Sequence, residues 1–124
     1  MEVQGGSGLK FSHSLKLNHV FRRLYAKGAS CANRNLVLYS KRNGSGENRV
    51  GITVSKKLGC AVVRNRARRR LRECYRLNEE KLKPGYDVVI VARSRCVDAP
   101  FDKLQASFLS AASAVGLMRE EEKA

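Results

Sequence analysis

Arginine is concentrated in one short stretch of the chain, Val62 to Arg76, which reads VVRNRARRRLRECYR. Its last thirteen residues hold seven arginines and one acid, Glu73, and therefore carry a net charge of +6. Guanidinium groups are weakly hydrated and present paired N–H donors that match phosphate oxygens, so repeated arginine without lysine favours a structured phosphate backbone over diffuse charge attraction. The stretch is predicted to bind a polyanion, with structured RNA or DNA as the leading partner.

Within nucleic acids, the residue types favour recognition of backbone and shape. A helix that reads base edges in a major groove normally carries Asn, Gln, Ser or Thr, and this stretch offers only Asn65 among its arginines. Recognition without base contacts is more typical of RNA binding. The alternative is an ordinary solvated helix, but the surfaces of such helices usually mix charges of both signs.

Groups that could perform catalysis are sparse. The two histidines, His13 and His19, both lie near the N-terminus, and the acids are not spaced like a two-metal nuclease site. The four cysteines contain no C-x-x-C pair, so they are predicted to be reduced, unligated and structural. If the protein takes part in catalysis, another molecule is expected to perform the chemistry, and no metal site on the protein is predicted.

The composition agrees with a polyanion partner. The chain has 124 residues, enough for one hydrophobic core, and its 25 Lys and Arg against 11 Asp and Glu give a net charge of +14. An anionic membrane surface would also attract this charge. However, no run approaches the roughly 18 apolar residues of a spanning helix and no signal peptide is recognised, so a soluble, cytoplasmic protein is expected.

The arginine stretch itself is predicted to form an amphipathic helix. At about 100° per residue, its apolar positions fall within an arc of roughly 120°, which is enough to seat a helix on a sheet. The ridge of arginines at four-residue spacing destabilises an isolated helix, and nothing in the predicted fold requires it. The predicted core-facing residues are Val63, Ala67, Leu71, Cys74 and Tyr75, and the ridge comprises Arg64, Arg68, Arg72 and Arg76.

The remaining elements complete an α+β fold. Helical spacing predicts a first helix over 18–27 and a last helix over 101–117. Residues 35–41 and 50–55 alternate as strands and are predicted to form an antiparallel hairpin through the KRNGSGEN turn. Residues 88–91 are apolar without alternation, which is typical of a central strand buried on both faces. Helices are therefore expected to cover a small mixed sheet.

Three aromatic residues form a second candidate surface. Phe21 and Tyr25 are one helical turn apart, and Tyr39 points away from Leu36 and Leu38 in its strand. By themselves these aromatics are more typical of a core. Gly51, Thr53 and Ser55, however, place a small, polar row on one face of the neighbouring strand, beside lysines. Such a face is a plausible groove for single-stranded nucleic acid, whose bases stack on aromatic rings.

These motifs together resemble one known family. The segment RVGITVSKKLGCAVVRNRARRRLRECYR resembles the protein subunit of bacterial ribonuclease P, in which an R-N-R helix follows an S-K-K strand end. NHVFRRLYAKG, CANRNLVLYS and GYDVVIVAR resemble the same family in the same order. The resemblance covers about residues 9–115, and several separated motifs in order are far more specific than R-N-R alone.

The resemblance implies a fold and a function. The fold would be a small mixed four-stranded sheet packed with three helices, with an unusual left-handed β-α-β crossover that contains the arginine helix, as in domain 2 of ribosomal protein S5. The protein would be one subunit, in one copy, of an RNA-based endoribonuclease that removes the 5′ leader of precursor tRNA. The RNA would hold the catalytic Mg²⁺ ions, and the protein would not be catalytic alone.

The composition sets limits to a single domain, and the resemblance assigns residues to two surfaces. A flexible leader would span 1–14, a single RNA-binding domain 15–117 and a charged tail 118–124. The leader of precursor tRNA would lie in a cleft lined by Phe21, Tyr25 and Tyr39, to which the small, polar row of the neighbouring strand contributes Thr53 and Ser55. The catalytic RNA would contact Lys56, Lys57, Arg64, Asn65, Arg66, Arg68, Arg69 and Arg72.

The sequence leaves three other functions open. The main alternative is a basic structural RNA-binding protein of ribosomal type, and binding to an anionic membrane is a weaker one. A protein-only nuclease would be active without RNA, although the lack of a carboxylate cluster argues against it.

Overall fold

Residues 2–4, 12–14 and 25–119 are described by a computed structural model, in which helices pack on one mixed sheet. Residues 25–27 are helical and agree with the end of the predicted first helix, whose other residues lie outside the described ranges. Single helical turns occupy Lys56–Leu58, Glu79–Lys81 and Ser94–Val97. The strands are β1 (Glu2–Gln4), β2 (Ser12–Ser14), β3 (Ala29–Ala32), β4 (Leu36–Arg42), β5 (Asn48–Val54) and β6 (Tyr86–Ala92), and the long helices are α1 (Ala61–Asn78) and α2 (Phe101–Ala114).

Four strands form the body of the sheet in the order β5, β6, β4, β3. Strand β5 runs parallel to β6, to which it is connected through α1, and the β6–β4 and β4–β3 pairs are antiparallel. The four-stranded mixed α+β sheet expected from the resemblance is therefore confirmed. The predicted hairpin is wrong in one respect: β4 and β5 are not neighbours, because β6 lies between them.

Two short segments of the predicted N-terminal leader belong to the sheet. Strand β1 pairs with residues 52–54 of β5 and β2 pairs with residues 48–50. These parts of the leader therefore have a structural role that the composition did not predict, while the domain limits stay a prediction. At the other end, Met118 bridges Leu82 and the Arg119 N–H donates to the Lys81 carbonyl, so the beginning of the predicted tail is paired as well.

The central strand, β6, lacks an alternation of apolar and polar residues because both of its faces are covered. Val88, Val89 and Ile90 of β6 are fully buried. Val88 and Ile90 face the main core, whereas Val89 belongs to a separate apolar cluster on the other side of the sheet. Both faces of β6 are thus covered by side chains, as the continuous apolar run predicts.

The main core lies between the sheet and the two long helices. Strand β4 contributes Leu36 and Leu38, and α2 contributes Leu104 and Phe108, all fully buried. The rings of Phe108 and Tyr75 meet edge to face, with centroids 6.1 Å apart, which joins α2 to α1. This packing fixes α1 along the sheet and directs its remaining circumference away from the core.

Candidate nucleic-acid interface

Helix α1 buries the stripe that its periodicity predicts. Ala67, Leu71, Cys74 and Tyr75 are fully buried, and Val63 packs against the core while partly exposed. The arginines occupy the rest of the circumference. Their surroundings differ sharply, however, and separate residues that hold the fold from residues that face solvent.

Two arginines hold the chain segment that follows β6. The Arg70 guanidinium donates to the carbonyls of Cys96 (2.8 Å), Val97 (2.7 Å) and Ala99. Arg66 Nε donates to the Val97 carbonyl at 2.9 Å. Hydrogen bonds from charged donors stabilise a fold more than neutral ones. Arg70 is therefore a structural residue, and nothing in the sequence spacing distinguishes it from its neighbours.

The predicted ridge also has internal partners, and the expectation that the fold does not require it is wrong for Arg68, which is buried. Arg68 is only 7 % exposed and donates to Asn65 Oδ1 at 2.5 Å. Arg76 pairs with Glu73, with Nε donating to Oε2 at 3.0 Å, and this contact lowers the pKa of the Glu73 carboxyl. A hydrogen bond or ion pair inside the helix offsets part of the repulsion between the ridge arginines.

The solvent-facing part of the predicted RNA-contacting set lies on the N-terminal part of α1, up to Arg72, and just before the helix. Arg69 is exposed, and Arg64 and Arg72 are half-buried. A shallow depression of about 500 Å³ is lined by Val62, Asn65, Arg69 and Arg72, and Val62 is 75 % exposed. The face therefore combines guanidinium groups with an accessible apolar side chain.

Two lysines extend this surface beyond β5. Lys56 and Lys57 are exposed on the single helical turn that follows the strand. The Ser55 hydroxyl caps that turn by accepting from the Lys57 N–H at 3.2 Å. Ser55, predicted to line the leader cleft, thus also orients the lysines.

Cys60 precedes α1 at the same end of the molecule. Its side chain is exposed. The backbone N–H groups of Val63 and Val62, with a smaller contribution from Arg64, lower the pKa of the thiol. This is the effect expected of a helix N-terminus on an anion.

The aromatic residues lie on the face of the sheet opposite the long helices. Tyr25 and Tyr39 meet edge to face, with ring centroids 4.8 Å apart, and pack, as Val91 does, against the buried Val89. Burial raises the pKa of the Tyr25 hydroxyl, with Thr53 opposing the shift. Both tyrosines are half-buried, so their rings are shared between a small apolar cluster and solvent. We call Tyr25, Tyr39 and Val91 the aromatic face.

One residue predicted for the leader cleft, Thr53, does not lie on this accessible surface. Thr53 is only 1 % exposed, so direct contact with a leader is not available to it in this structure, and its small side chain instead lies beneath Tyr25. Strand alternation places Thr53 on the correct face but carries no information on what covers it. Phe21 lies outside the described residues.

The fold and this surface define a small, strongly basic α+β protein, and comparison with known proteins identifies its family. A family model described as Ribonuclease P matches residues 9–115. The chain is 48% identical over 101 residues to the ribonuclease P protein component of Alkaliphilus oremlandii, covering 82% of this chain and 89% of the relative. It is 51% identical over 94 residues to that of Clostridioides difficile, covering 75% and 82%.

Solved structures agree with the sequence comparisons. The RNase P protein of Staphylococcus aureus superposes with a TM-score of 0.75 at 34% identity, covering 86% of this chain and 97% of that one. The Thermotoga maritima protein gives a TM-score of 0.73 at 28% identity, covering 89% and 99%. The chain belongs to the ribonuclease P protein family. As a member, it is a protein subunit of the ribonucleoprotein endonuclease that processes tRNA.

Proposed function

We propose that the chain binds the ribonuclease P RNA through the N-terminal part of α1 and the adjoining lysines. The 5′ leader of precursor tRNA binds to the aromatic face. Partnership with the ribonuclease P RNA follows from membership of the family. The assignment of each surface to one RNA rests on the chemistry of the exposed side chains.

The proposal rests on one observation. The cationic side chains and the aromatic side chains lie on different sides of the C-terminal end of β5. Strand β5 runs past the aromatic face and leads directly into Lys56 and Lys57, which lie before α1. Exposed guanidinium and ammonium groups suit a phosphate backbone, whereas half-buried tyrosine rings suit unstacked bases. A structured RNA and a single strand can therefore be bound side by side.

The catalytic Mg²⁺ ions belong to the RNA in this proposal, and one protein molecule assists one RNA in the cytoplasm. Within residues 25–119 and the two short N-terminal strands, no group of three or more His, Cys, Asp and Glu side chains is placed to hold a metal ion. The described helices include none that is long and apolar enough to cross a membrane. A basic structural RNA-binding role of ribosomal type is the second candidate, favoured only by the net charge of +14.

A pair of substitutions on α1 and its approach tests the contact with the RNA. Lys57→Ala with Arg69→Ala removes two exposed cations, so we expect weaker binding to a bacterial ribonuclease P RNA. The slope of log affinity against log salt should also become shallower by roughly two units, or about 0.9 for each lost phosphate contact. Arg42→Ala with Lys81→Ala removes one arginine and one lysine from exposed positions at the opposite end of the sheet and is the matched control. Equal losses from both pairs would contradict a localised interface.

A substitution on the aromatic face tests leader binding. Tyr39→Ala should weaken holoenzyme binding to precursor tRNA by roughly 1–3 kcal/mol while leaving binding of leaderless tRNA unchanged, because only the leader would stack there. Tyr39→Phe keeps the ring and is the control. Thermal melting must show that Tyr39→Ala is folded. A folded variant with unchanged leader dependence would remove the aromatic face from the proposal.

A further inference from the structure

A second basic groove lies on the helix-covered side of the molecule, away from the aromatic face. It has a volume of about 850 Å³ and runs between the β3–β4 turn, residues 94–100 and the outer side of α2. We call it the side groove. Three of its lining side chains are exposed cations, Arg34, Arg95 and Lys103, and one is an acid, Asp98, so the lining carries a net charge of +2.

The walls of the side groove are tied together by hydrogen bonds. Asn33 Nδ2 donates to the Ser107 carbonyl at 3.0 Å, and Asn35 Nδ2 donates to Ser107 Oγ at 2.7 Å. Asn33 Oδ1 accepts from the backbone N–H groups of Asn35 and Leu36 at 3.0 and 3.1 Å. These contacts join the β3–β4 turn to α2, so the groove is formed before any partner arrives and costs little ordering on binding.

The cations of the side groove are not used by the fold. In the part of the chain that the structure describes, no hydrogen bond or ion pair engages the side chains of Arg34, Arg95 and Lys103. Arg66 and Arg70, by contrast, are bonded to backbone carbonyls. Three unengaged cations around one concavity raise the local potential for anions above that of isolated surface charges.

The side groove is continuous with the arginine surface of α1. Its wall at residues 94–100 is the segment whose carbonyls accept from Arg66 and Arg70 on the other side. A polyanion bound along α1 therefore needs to cross only this segment to reach Arg95. The leader of precursor tRNA is proposed to lie on the opposite face of the sheet, against Tyr39, and is the less suitable occupant.

We infer that the side groove binds a phosphate-backbone strand of the ribonuclease P RNA and extends the RNA interface from α1 around the end of the sheet. This inference rests on the proposed function, since it assumes that α1 contacts that RNA. It adds Arg34, Arg95 and Lys103, which lie far apart in the sequence and outside the arginine stretch.

The test compares three double variants, each of which loses one arginine and one lysine: the side-groove pair, the control pair, and the pair Lys57→Ala with Arg69→Ala on α1 and its approach. Arg95→Ala with Lys103→Ala should weaken binding to a bacterial ribonuclease P RNA roughly 10- to 100-fold at moderate salt and reduce the salt slope by up to two units. The control pair Arg42→Ala with Lys81→Ala should leave both nearly unchanged. A second variant, Ala106→Glu, places a carboxylate at an exposed position of the groove without removing any bond and should weaken binding in the same direction.

The outcomes separate this inference from the proposed function. If Lys57→Ala with Arg69→Ala weakens binding but the side-groove pair behaves like the control, the interface on α1 stands and the side groove is not part of it. If the side-groove pair weakens only leader-dependent binding of precursor tRNA, the occupant is the leader and the inference is overturned. Circular-dichroism melting of each variant ensures that only folded proteins are compared.

Discussion

Arg69 and Arg70 are neighbours in sequence but have opposite surroundings. Arg70 donates to three carbonyls of residues 96–99, whereas Arg69 is exposed. Arg70→Ala leaves those carbonyls without their charged donor, so we expect the free energy of unfolding to fall by about 2–4 kcal/mol. Arg69→Ala should change it by less than about 0.5 kcal/mol. Urea denaturation of both variants measures the difference, and similar losses would contradict the structural role of Arg70.

The cysteines should differ in reactivity because their surroundings shift the thiol pKa in opposite directions. Burial raises the pKa of Cys74 to about 12 and that of Cys96 to about 11, so both remain protonated and shielded in the folded protein. Cys60 is exposed and its pKa is lowered, chiefly by the backbone N–H of Val63. Since the thiolate is the reactive form, Cys60 should retain reactivity to lower pH than an ordinary thiol.

Alkylation with iodoacetamide near neutral pH, followed by peptide mass spectrometry, measures this contrast. Modification at Cys60 should be fast, and modification at Cys74 and Cys96 should require denaturant. Bound ribonuclease P RNA should protect Cys60 if the RNA covers the N-terminal end of α1. Rapid labelling of Cys74 in the native protein would show that α1 does not seat on the sheet as described.

At the scale of elements, the turn that leads into β6 depends on one glycine. Gly85 has a φ of +86°, and a Cβ there would lie 2.6 Å from the Ser45 carbonyl oxygen. Gly85→Ala should therefore lower the free energy of unfolding by about 3 kcal/mol, combining left-handed strain with a backbone clash. Gly44, with a φ of +74° and no atom within 4 Å of an added Cβ, is the matched control and should cost about 1 kcal/mol. Equal costs would contradict the close approach at Gly85.

The elements differ in how much of them the sequence could predict. Helix α1 and strand β6 were predicted well, because their apolar patterns are local and each reports the faces that become buried. Strand β3 was missed: its four residues are mostly exposed at the sheet edge and show no apolar alternation. The insertion of β6 between β4 and β5 was also missed, because pairing between distant segments leaves little trace in either one.

The candidate site could be predicted in outline, because the arginine-rich pattern is also local in the sequence. Arginine counting located the basic surface, but periodicity could not show that Arg68 is buried against Asn65 or that Arg70 holds the segment after β6. Likewise, alternation placed Thr53 on the face of Tyr39 without showing that it is covered. The side groove is assembled from three separate segments, so its cations had no common signal in the sequence.

For the whole molecule, charge and architecture give a consistent account. The net charge of +14 is distributed so that several cations stabilise the fold through backbone carbonyls, while others face solvent around one end of the sheet. The aromatic face lies on the opposite side of that sheet. This arrangement agrees with the proposed function, in which the protein neutralises a structured RNA and positions a single strand while the RNA performs the chemistry.

Reconstitution of the ribonucleoprotein measures whether this protein assists an RNA catalyst. The full-length protein, freed of RNA, is mixed with a bacterial ribonuclease P RNA, and removal of the 5′ leader from precursor tRNA is followed at low Mg²⁺. We expect faster cleavage than with the RNA alone and no cleavage by the protein alone. Cleavage by the RNA-free protein, or no gain in rate when the protein is added, would contradict it.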